Sequence, residues 1–440
     1  MIKRLLLSAI TLLTAVCSFA QETTSQIQGT VLTDAKAPLA GATVVALHNP
    51  TGTKYTTTTR KDGHYNLPGL RVGGPYTLTV TYVGFKEEKQ DNITLVLGQD
   101  FYGDFTMVPE AKELEATVVS AARQNKIFNN AHTGTQELVT RAQIEQLPTI
   151  SRSIQDFTRL EPSANGLSFA GTNPGENNVT VDGADFNNSF GLSSTLGGQA
   201  SAQPIALDAI DQIQVNISPY DVRQGGFTGA GINSVTRQGT NTFRGTLYDY
   251  IKGPGTQGYK VEDAVVTRSP FKYNVLGGSL GGAFIPNKLF FFVNAEEDLQ
   301  SAPATSFVAT DNSHPVTPGS VSQVSADSLN MIAAYLDSAY HYNPGVYQGY
   351  TFKTNSYKVN ARLDFNINPT NVLTIKYNYL KSYADQFAST SRSLGGSGFI
   401  TGGQPGNQSM PFNGSGYRIN NDLDIYIAEL NTRIGNAASN

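Results

Sequence analysis

A mainly β chain in three successive parts is what this sequence predicts, and three observations predict it. Short β-rich runs separated by Gly, Asp and Asn turns fill the N-terminal quarter. A mixed stretch with two helical and two strand patterns follows. From Thr242 onward, long runs alternate apolar and polar residues with period two, the signature of strands with two different faces. Composition agrees: 39% hydrophobic residues are too many for a disordered chain, 15% charged residues are few for a soluble enzyme, and 43 Gly with abundant Tyr suit turns and strands.

Residues 1–20 place Lys3 and Arg4 before an apolar run and end in Ser18-Phe19-Ala20, the pattern of a cleaved export signal. Cys17, the only cysteine, lies inside it, and Thr14-Ala15-Val16 lacks the small residue expected before a lipidated Cys. Cleavage would take the net charge from −4 to −6 and leave no thiol, which excludes disulfides and Cys-type metal sites. Mild acidity gives no electrostatic footprint for nucleic acid. After the N-terminus no apolar run is long enough for a transmembrane helix, so a membrane role would have to use a barrel.

Residues 26–107 contain the runs IQGTVLTD, GATVVALHN, KYTTTTRKDGHYNLPGL, YTLTVTYVGFKE and NITLVLG, whose spacing predicts a β-sandwich. The pattern IxGxV, then PLxGAxV, the turn Asp62-Gly63 and the pair Gly84-Phe85 is similar to the carboxypeptidase regulatory-like domain. The name carries no peptidase activity here. His48 and His64 stand alone, without a metal or nucleophile constellation. The segment reads as a periplasmic adaptor with a carbohydrate-binding-like fold, or as a spacer.

The chain is organised around residues 177–241. Val179-Thr180-Val181 is a short strand closed by the turn pair Asp182-Gly183, and Ile210, Ile213, Val215 and Ile217 mark a second strand before a Gly-rich return. These residues resemble the plug domain of TonB-dependent outer-membrane receptors, in their Oar-like branch. The motif positions are Val181, Asp182, Gly183, Arg223 and Gly231. Where many members follow the second strand with Arg-Gly-Pro, this chain has Asn216-Ile217-Ser218-Pro219, so the resemblance names no ligand. It implies an α+β plug over 127–240 and the opening strands of a transmembrane β-barrel over 241–440. Helices are expected at 142–147 and 151–160, the second capped by Ser151 or Ser153 with Ile154, Phe157 and Leu160 on one face. Arg152, Asp156 and Arg159 on its other face read as plug-to-barrel contacts or as a solvated charge run.

The linker 108–126 carries Leu114, Glu115, Ala116, Thr117, Val118, Val119 and Ser120, which in position and pattern resemble the TonB box offered to a TonB-type energy-coupling protein. An extended segment of this kind can add as a strand to a partner's sheet edge. Read without the resemblance, it is the first strand of the next domain.

The clearest long strand is 356–368, where Tyr357, Val359, Ala361, Leu363, Phe365 and Ile367 alternate with polar residues. Pro369-Thr370 turns the chain, and Leu373, Ile375, Tyr377 and Tyr379 restart the apolar face. Further strands are expected at 243–252, 271–284 and 288–297, with a weaker one at 423–434. Such lengths match the ~9 to 11 residues a tilted strand needs to cross lipid. Short turns alternate with long loops, 300–350 and 382–416, as in outer-membrane barrels. The first loop holds a predicted helix at 326–340 carrying Leu329, Ile332, Leu336 and Tyr340. About five or six crossing strands fit after Thr242, against about 22 in plugged transporters, so the sequence is expected to continue beyond Asn440.

Catalytic chemistry is not expected. Gly225 to Gly231 lacks the spacing of a dinucleotide loop, Asp182, Asp185 and Asn187 do not have the spacing of a calcium loop, and the five His residues show no ligand or triad spacing. No cofactor and no metal site are expected. The resemblance implies an outer-membrane transporter that imports an unidentified extracellular ligand by proton-motive-force-coupled plug displacement, with outer-membrane lipid around it. The alternatives are a non-transporting adhesin or structural outer-membrane protein, which needs no coupling box, and, less favoured, a soluble periplasmic enzyme.

Overall fold

The computed structural model describes residues 23–98, 100–110, 135–188, 193, 195–217, 225–262, 264–265, 270–317, 320–388 and 404–432. The export signal, the coupling-box residues Leu114 to Ser120 and the motif residue Arg223 lie outside them.

The N-terminal unit is the expected sandwich. Strands β1 (Thr24–Thr33), β2 (Thr43–His48), β3 (Thr53–Thr58), β4 (His64–Arg71), β5 (Gly73–Thr81), β6 (Glu88–Leu95), β7 (Asp100–Tyr102) and β8 (Phe105–Met107) form two sheets. One has the order β4-β1-β7 with β8 also on β1, the other β3-β2-β5-β6. Strict alternation in β1 puts Ile27 and Val31 into a core with Val44, Leu67, Tyr76 and Leu78. Asp62-Gly63 splits the longest run into β3 and β4: Gly63 has φ +75° and the Asp62 carboxylate accepts the His64 N–H. The glycine of the IxGxV pattern has a steric cause. A Cβ on Gly29 would lie 2.1 Å from the Gly103 carbonyl oxygen, which accepts the buried Tyr65 hydroxyl at 2.5 Å.

The central unit is α+β. Strand β9 (Thr135–Thr140) runs into helix α1 (Arg141–Gln146), followed by helix α2 (Gln155–Thr158) and strands β10 (Asn178–Val181), β11 (Ala184–Asp185), β12 (Ile210–Ile217) and β13 (Ala230–Thr236). The sheet order is β11-β10-β13-β12-β9, with β10 and β13 parallel. Its core gathers Val179, Val181, Ile213, Val215, Ile232 and Phe157. Helix α1 starts where the Gln143 side chain accepts the Thr140 N–H at 2.8 Å. The second helix is shorter than predicted, four residues rather than the whole of 151–160. The Asp156 carboxylate accepts the N–H groups of Ser151 and Ser153 at 3.0 and 3.2 Å, and this side-chain turn takes the place of a serine-capped first turn. Ile154 and Phe157 are buried as expected, whereas Leu160, beyond the helix end, is exposed.

The C-terminal unit is a single up-and-down sheet. Strands β14 (Arg244–Lys252), β15 (Lys272–Ile285), β16 (Leu289–Pro303), β17 (Thr351–Asn368), β18 (Asn371–Gln386) and β19 (Tyr417–Thr432) pair antiparallel in chain order, and the sheet is open at both ends. It is an unclosed segment of a barrel wall. Its burial is inverted relative to a soluble sheet: Ser356, Lys358, Asn360 and Asp364 of β17 are buried, while Tyr357, Leu363 and Ile367 are exposed. An outward apolar face over an inward polar one is the arrangement lipid demands. Strand β19 starts at Tyr417, six residues before its predicted start. Its inner residues Leu423 and Ile425 pack on the central core and its outer face carries Asp422 and Asp424, which blurs the contrast that alternation depends on.

In the loop between β16 and β17, helix α3 (Ala326–Tyr340) stands where predicted. Its expected apolar stripe is only partly packed. Leu329 is buried against Ala309 and Met410, but Ile332 and Tyr340 are exposed.

Candidate functional site

The inner face of the wall sheet is covered by the central unit, and the two meet through ionised side chains. The turn predicted at Asp182-Gly183 makes the first meeting point. Both residues have positive φ, +52° and +79°, as a two-residue hairpin between β10 and β11 requires. The turn puts the Asp182 side chain against the end of β13, where the Thr236 N–H donates to Oδ1 at 3.0 Å and the Thr236 hydroxyl to Oδ2 at 2.5 Å. From the wall, Lys376 of β18 reaches Asp182 Oδ1 at 3.3 Å with both side chains almost fully buried, and Lys376 also faces Glu429 of β19 at 3.6 Å. Burial would raise the Asp182 pKa, but Lys376, Arg362 and Thr236 outweigh it and hold the carboxyl below its ordinary value.

Beside this pair, Arg362 and Asp364 of β17 point to the same side of the strand and form a two-point contact at 2.9 and 3.1 Å. Arg362 also donates to the Thr236 carbonyl at 3.0 Å, and Thr374 donates to Asp364 at 2.9 Å. Arg362 thus ties the wall to the central sheet. Arg71 from the sandwich approaches the same carboxylate at 3.9 Å. A cavity of about 30 Å³ remains where Arg71, Asp211, Arg362, Lys376 and Glu429 converge. Burial raises the pKa of Asp211 there, against the opposing pull of Arg141, Arg237 and Arg362.

A second contact joins the central unit to the first wall strands through the Asp208 carboxylate, which is ion-paired inside the central unit and hydrogen-bonded to the wall. Asp208 accepts from Arg141 at 3.0 Å, from Arg237 at 3.3 Å and from the Thr246 hydroxyl of β14 at 2.7 Å. Burial pushes Asp208 up, and the hydroxyls of Ser279 and Thr246 with Arg237 and Arg141 bring it below its ordinary value. Gly239 lets the chain leave the central sheet here, since a Cβ would sit 2.3 Å from the Phe291 carbonyl oxygen and 2.5 Å from that of Gly282. A third contact is Arg152, whose guanidinium lies 4.7 and 4.0 Å from the ring centres of Tyr248 and Tyr250. Of the three charges expected on that helix face, Arg152 reaches the wall, Asp156 is buried in its own turn, and Arg159 donates to the Pro148 carbonyl.

Of the predicted motif residues, Val181, Asp182 and Gly183 stand at this junction. Gly231 lies in the paired strand β13, where a Cβ would meet the Phe227 ring at 3.0 Å. Sequence reasoning missed Lys376, Asp364, Asp208 and Arg71 as partners. Alternation had placed Lys376 and Asp364 on the polar face of their strands, which was the available signal, but it names no partner.

At the loop end of the wall, opposite the short turns, a recess of about 930 Å³ opens between the central unit and the strand ends, with Lys252, Lys272, Asp298 and Asp385 on its border and Tyr273 and Phe352 among its rings. It is large enough for a small-molecule or short-polymer ligand.

Residues 26–108 match the carboxypeptidase regulatory-like domain, and residues 235–417 match an outer membrane beta barrel domain. The TonB-dependent transporter Oar of Myxococcus xanthus is 28% identical over an alignment of 293 residues that covers 62% of this chain and 26% of that protein. The chain thus spans about a quarter of the length of that curated relative. Among solved structures, the siderophore receptor PirA from Acinetobacter baumannii aligns at 16% identity and TM-score 0.38, over 57% of this chain and 32% of its own. The outer membrane transporter YddB from Escherichia coli aligns at 14% identity and TM-score 0.40, over 58% and 34%. With its sandwich, its inverted wall sheet and the two domain matches, the chain is an outer-membrane β protein that carries a carboxypeptidase regulatory-like domain ahead of barrel strands and is similar to the TonB-dependent transporter Oar.

Proposed function

We propose that this chain forms the periplasmic domain, plug and opening barrel strands of a TonB-dependent transporter. In this reading residues 127–240 are the plug, residues 108–126 are a linker, and Leu114 to Ser120 are the box that a TonB-type coupling protein engages. An extracellular ligand enters the recess bordered by Lys252, Lys272, Asp298 and Asp385.

The observation that supports the reading best is the way the central unit is held. Its apolar core takes in Phe292, Leu423 and Ile425 of the wall, and at the polar positions it meets the wall through a buried ion pair, Asp182 with Lys376, and through the buried Asp208 carboxylate, which accepts from Thr246. Buried pairs fix a position sharply while adding little net stability over an apolar contact. A part that must be seated accurately and then moved is well served by such contacts. An immobile scaffold would do better with a continuous apolar interface.

The test is Val118→Pro in the protein in its outer membrane. Proline removes one backbone donor and fixes φ, which blocks strand addition at that position. Outer-membrane abundance should be unchanged, and photo-cross-links between residue 119 and the periplasmic part of a TonB-type protein should disappear. Unchanged cross-linking, or a loss of abundance as large as the loss of cross-links, would sink the assignment of the box and favour a buried strand instead.

A further inference from the structure

The N-terminal sandwich is not free of the wall. Its β4 end and two of its connections are docked on the short-turn end of the wall and on the central sheet. Arg71, 8% exposed, donates to Asn366 at 3.0 Å and to Gln238 at 3.3 Å. Asn366 in turn donates to the Thr53 hydroxyl at 2.9 Å, and the Asn241 N–H to the Pro50 carbonyl at 2.8 Å. On the central sheet, Gln212 of β12 makes a reciprocal pair with the sandwich backbone, donating to the Leu95 carbonyl and accepting the Leu97 N–H, both at 3.1 Å. The apolar part of this contact is a cluster of three residues, Val72, Leu97 and Val235.

This contact is polar and separate from both large cores, which is the character of an interface between domains that part and rejoin. It also lies directly over the charged seam. Asp364 is fully buried because Arg71 covers it on the sandwich side, and the small cavity beside it is closed by Arg71 and Val72 together with residues of the wall and the central sheet. Opposite charges shielded from bulk water attract more strongly than the same charges in water.

We propose that the sandwich is a releasable cap on the periplasmic mouth, and that its departure hydrates the Arg362–Asp364 and Asp182–Lys376 pairs and so loosens the central unit. The cap and the ion pairs then form one device. While docked, the cap keeps bulk water off the seam and the pairs strong; once it leaves, bulk water solvates the separating charges and the central unit opens more often. The proposal uses the plug reading above for the meaning of that opening, but its geometry and its test do not depend on transport.

The test is hydrogen exchange on the whole protein in detergent micelles, comparing wild type, Arg71→Ala and Arg71→Lys. Exchange at 69–73 and 95–97 reports docking, exchange at 178–181 and 230–236 reports the central sheet, and exchange in β1 and β2 controls for unfolding of the sandwich. Arg71→Ala should speed exchange at the docking segments and raise it at least tenfold in the central strands, with β1 and β2 unchanged and Arg71→Lys intermediate. A further variant adds Thr53→Cys and Asn366→Cys to Arg71→Ala and joins the thiols with a reducible linker. Closing the linker should return the central strands toward wild-type rates, and reductant should reverse that. Central strands that stay at wild-type rates while the docking segments open, or that stay fast with the cap linked in place, would overturn the proposal. So would docking segments unaffected by Arg71→Ala.

Discussion

Lys376→Met is the sharpest probe of the seam between the central unit and the wall. The substitution keeps most of the side-chain volume and removes the cation that lies 3.3 Å from Asp182, whose carboxylate has no exposure of its own. Removing one partner of a buried pair typically costs about 3 to 5 kcal/mol, because the remaining charge is left without compensation. Thr236 still donates to Asp182 and Arg362 still lies near it, so the low end, about 3 kcal/mol, is expected. Asp182→Asn should cost less. Asparagine tolerates the positive φ of 52° and keeps an oxygen for the Thr236 N–H, while Lys376 retains Glu429. The double variant should then resemble Asp182→Asn alone, giving a coupling energy of about 3 kcal/mol, the whole cost of Lys376→Met. Pulse proteolysis of the central unit across a urea series measures all four proteins. Additive effects, with coupling under about 0.5 kcal/mol, would refute a direct buried pair as the anchor.

The other predictions concern the wall, the exit of the chain from the central sheet, and the sandwich. Leu363→Arg places a charge on the exposed outer face of β17 and should cost about 2 to 4 kcal/mol in folding into lipid vesicles. Arg362→Leu, one residue away on the inner face, should cost about 3 to 5 kcal/mol because it strips Asp364 of its two-point partner; the same folding titration reads it. Gly239→Ala should destabilise the central unit by at least about 1 to 3 kcal/mol, since a Cβ has backbone oxygens at 2.3 and 2.5 Å and no flexible neighbour to displace; thermal melting followed by proteolysis measures it. The pKa of His48 is lowered from 6.5 to about 3 by burial first and by Arg71 second. Between those values the unfolded chain binds a proton that the folded sandwich refuses, so stability falls as pH drops, with a slope approaching 1.4 kcal/mol per pH unit. Urea midpoints of the sandwich at several pH values should show this slope, and His48→Gln should flatten it.

The parts of the fold read most easily were those where one face of a strand has a single environment. In β17 lipid lies on one side and a polar partner on the other, so Tyr357 to Ile367 announce their direction residue by residue. Strand β19 was read late because its inner face covers an apolar core: Leu423 and Ile425 point inward while Asp422 and Asp424 point outward. The hairpin at Asp182-Gly183 was legible from turn chemistry, but the role of Asp182 was not. Its partners Thr236 and Lys376 stand 54 and 194 residues further on, and nothing local in the sequence encodes such a pairing. The same holds for Arg71, which looks like an ordinary strand-end arginine until β17 is laid beneath it. Helix α2 failed for a local reason, since a carboxylate at Asp156 folded the preceding residues into a tighter turn than a helix allows.

The inner face of the wall has a consequence for what happens once it is uncovered. Ser356, Asn360 and Asp364 on β17 stand across from Ser382, Asn378 and Thr374 on the neighbouring strand, and the Asn360 amide already donates to Asn378 at 2.6 Å. An apolar wall of this width would repel water and close on itself by drying. A wall of amides, hydroxyls and ammonium groups wets readily, so under the proposed function a lumen vacated by the central unit would fill with liquid and hold its bore. A polar solute moving along it could trade each water for the next side-chain partner two residues further up the strand, and would at no point be stripped bare.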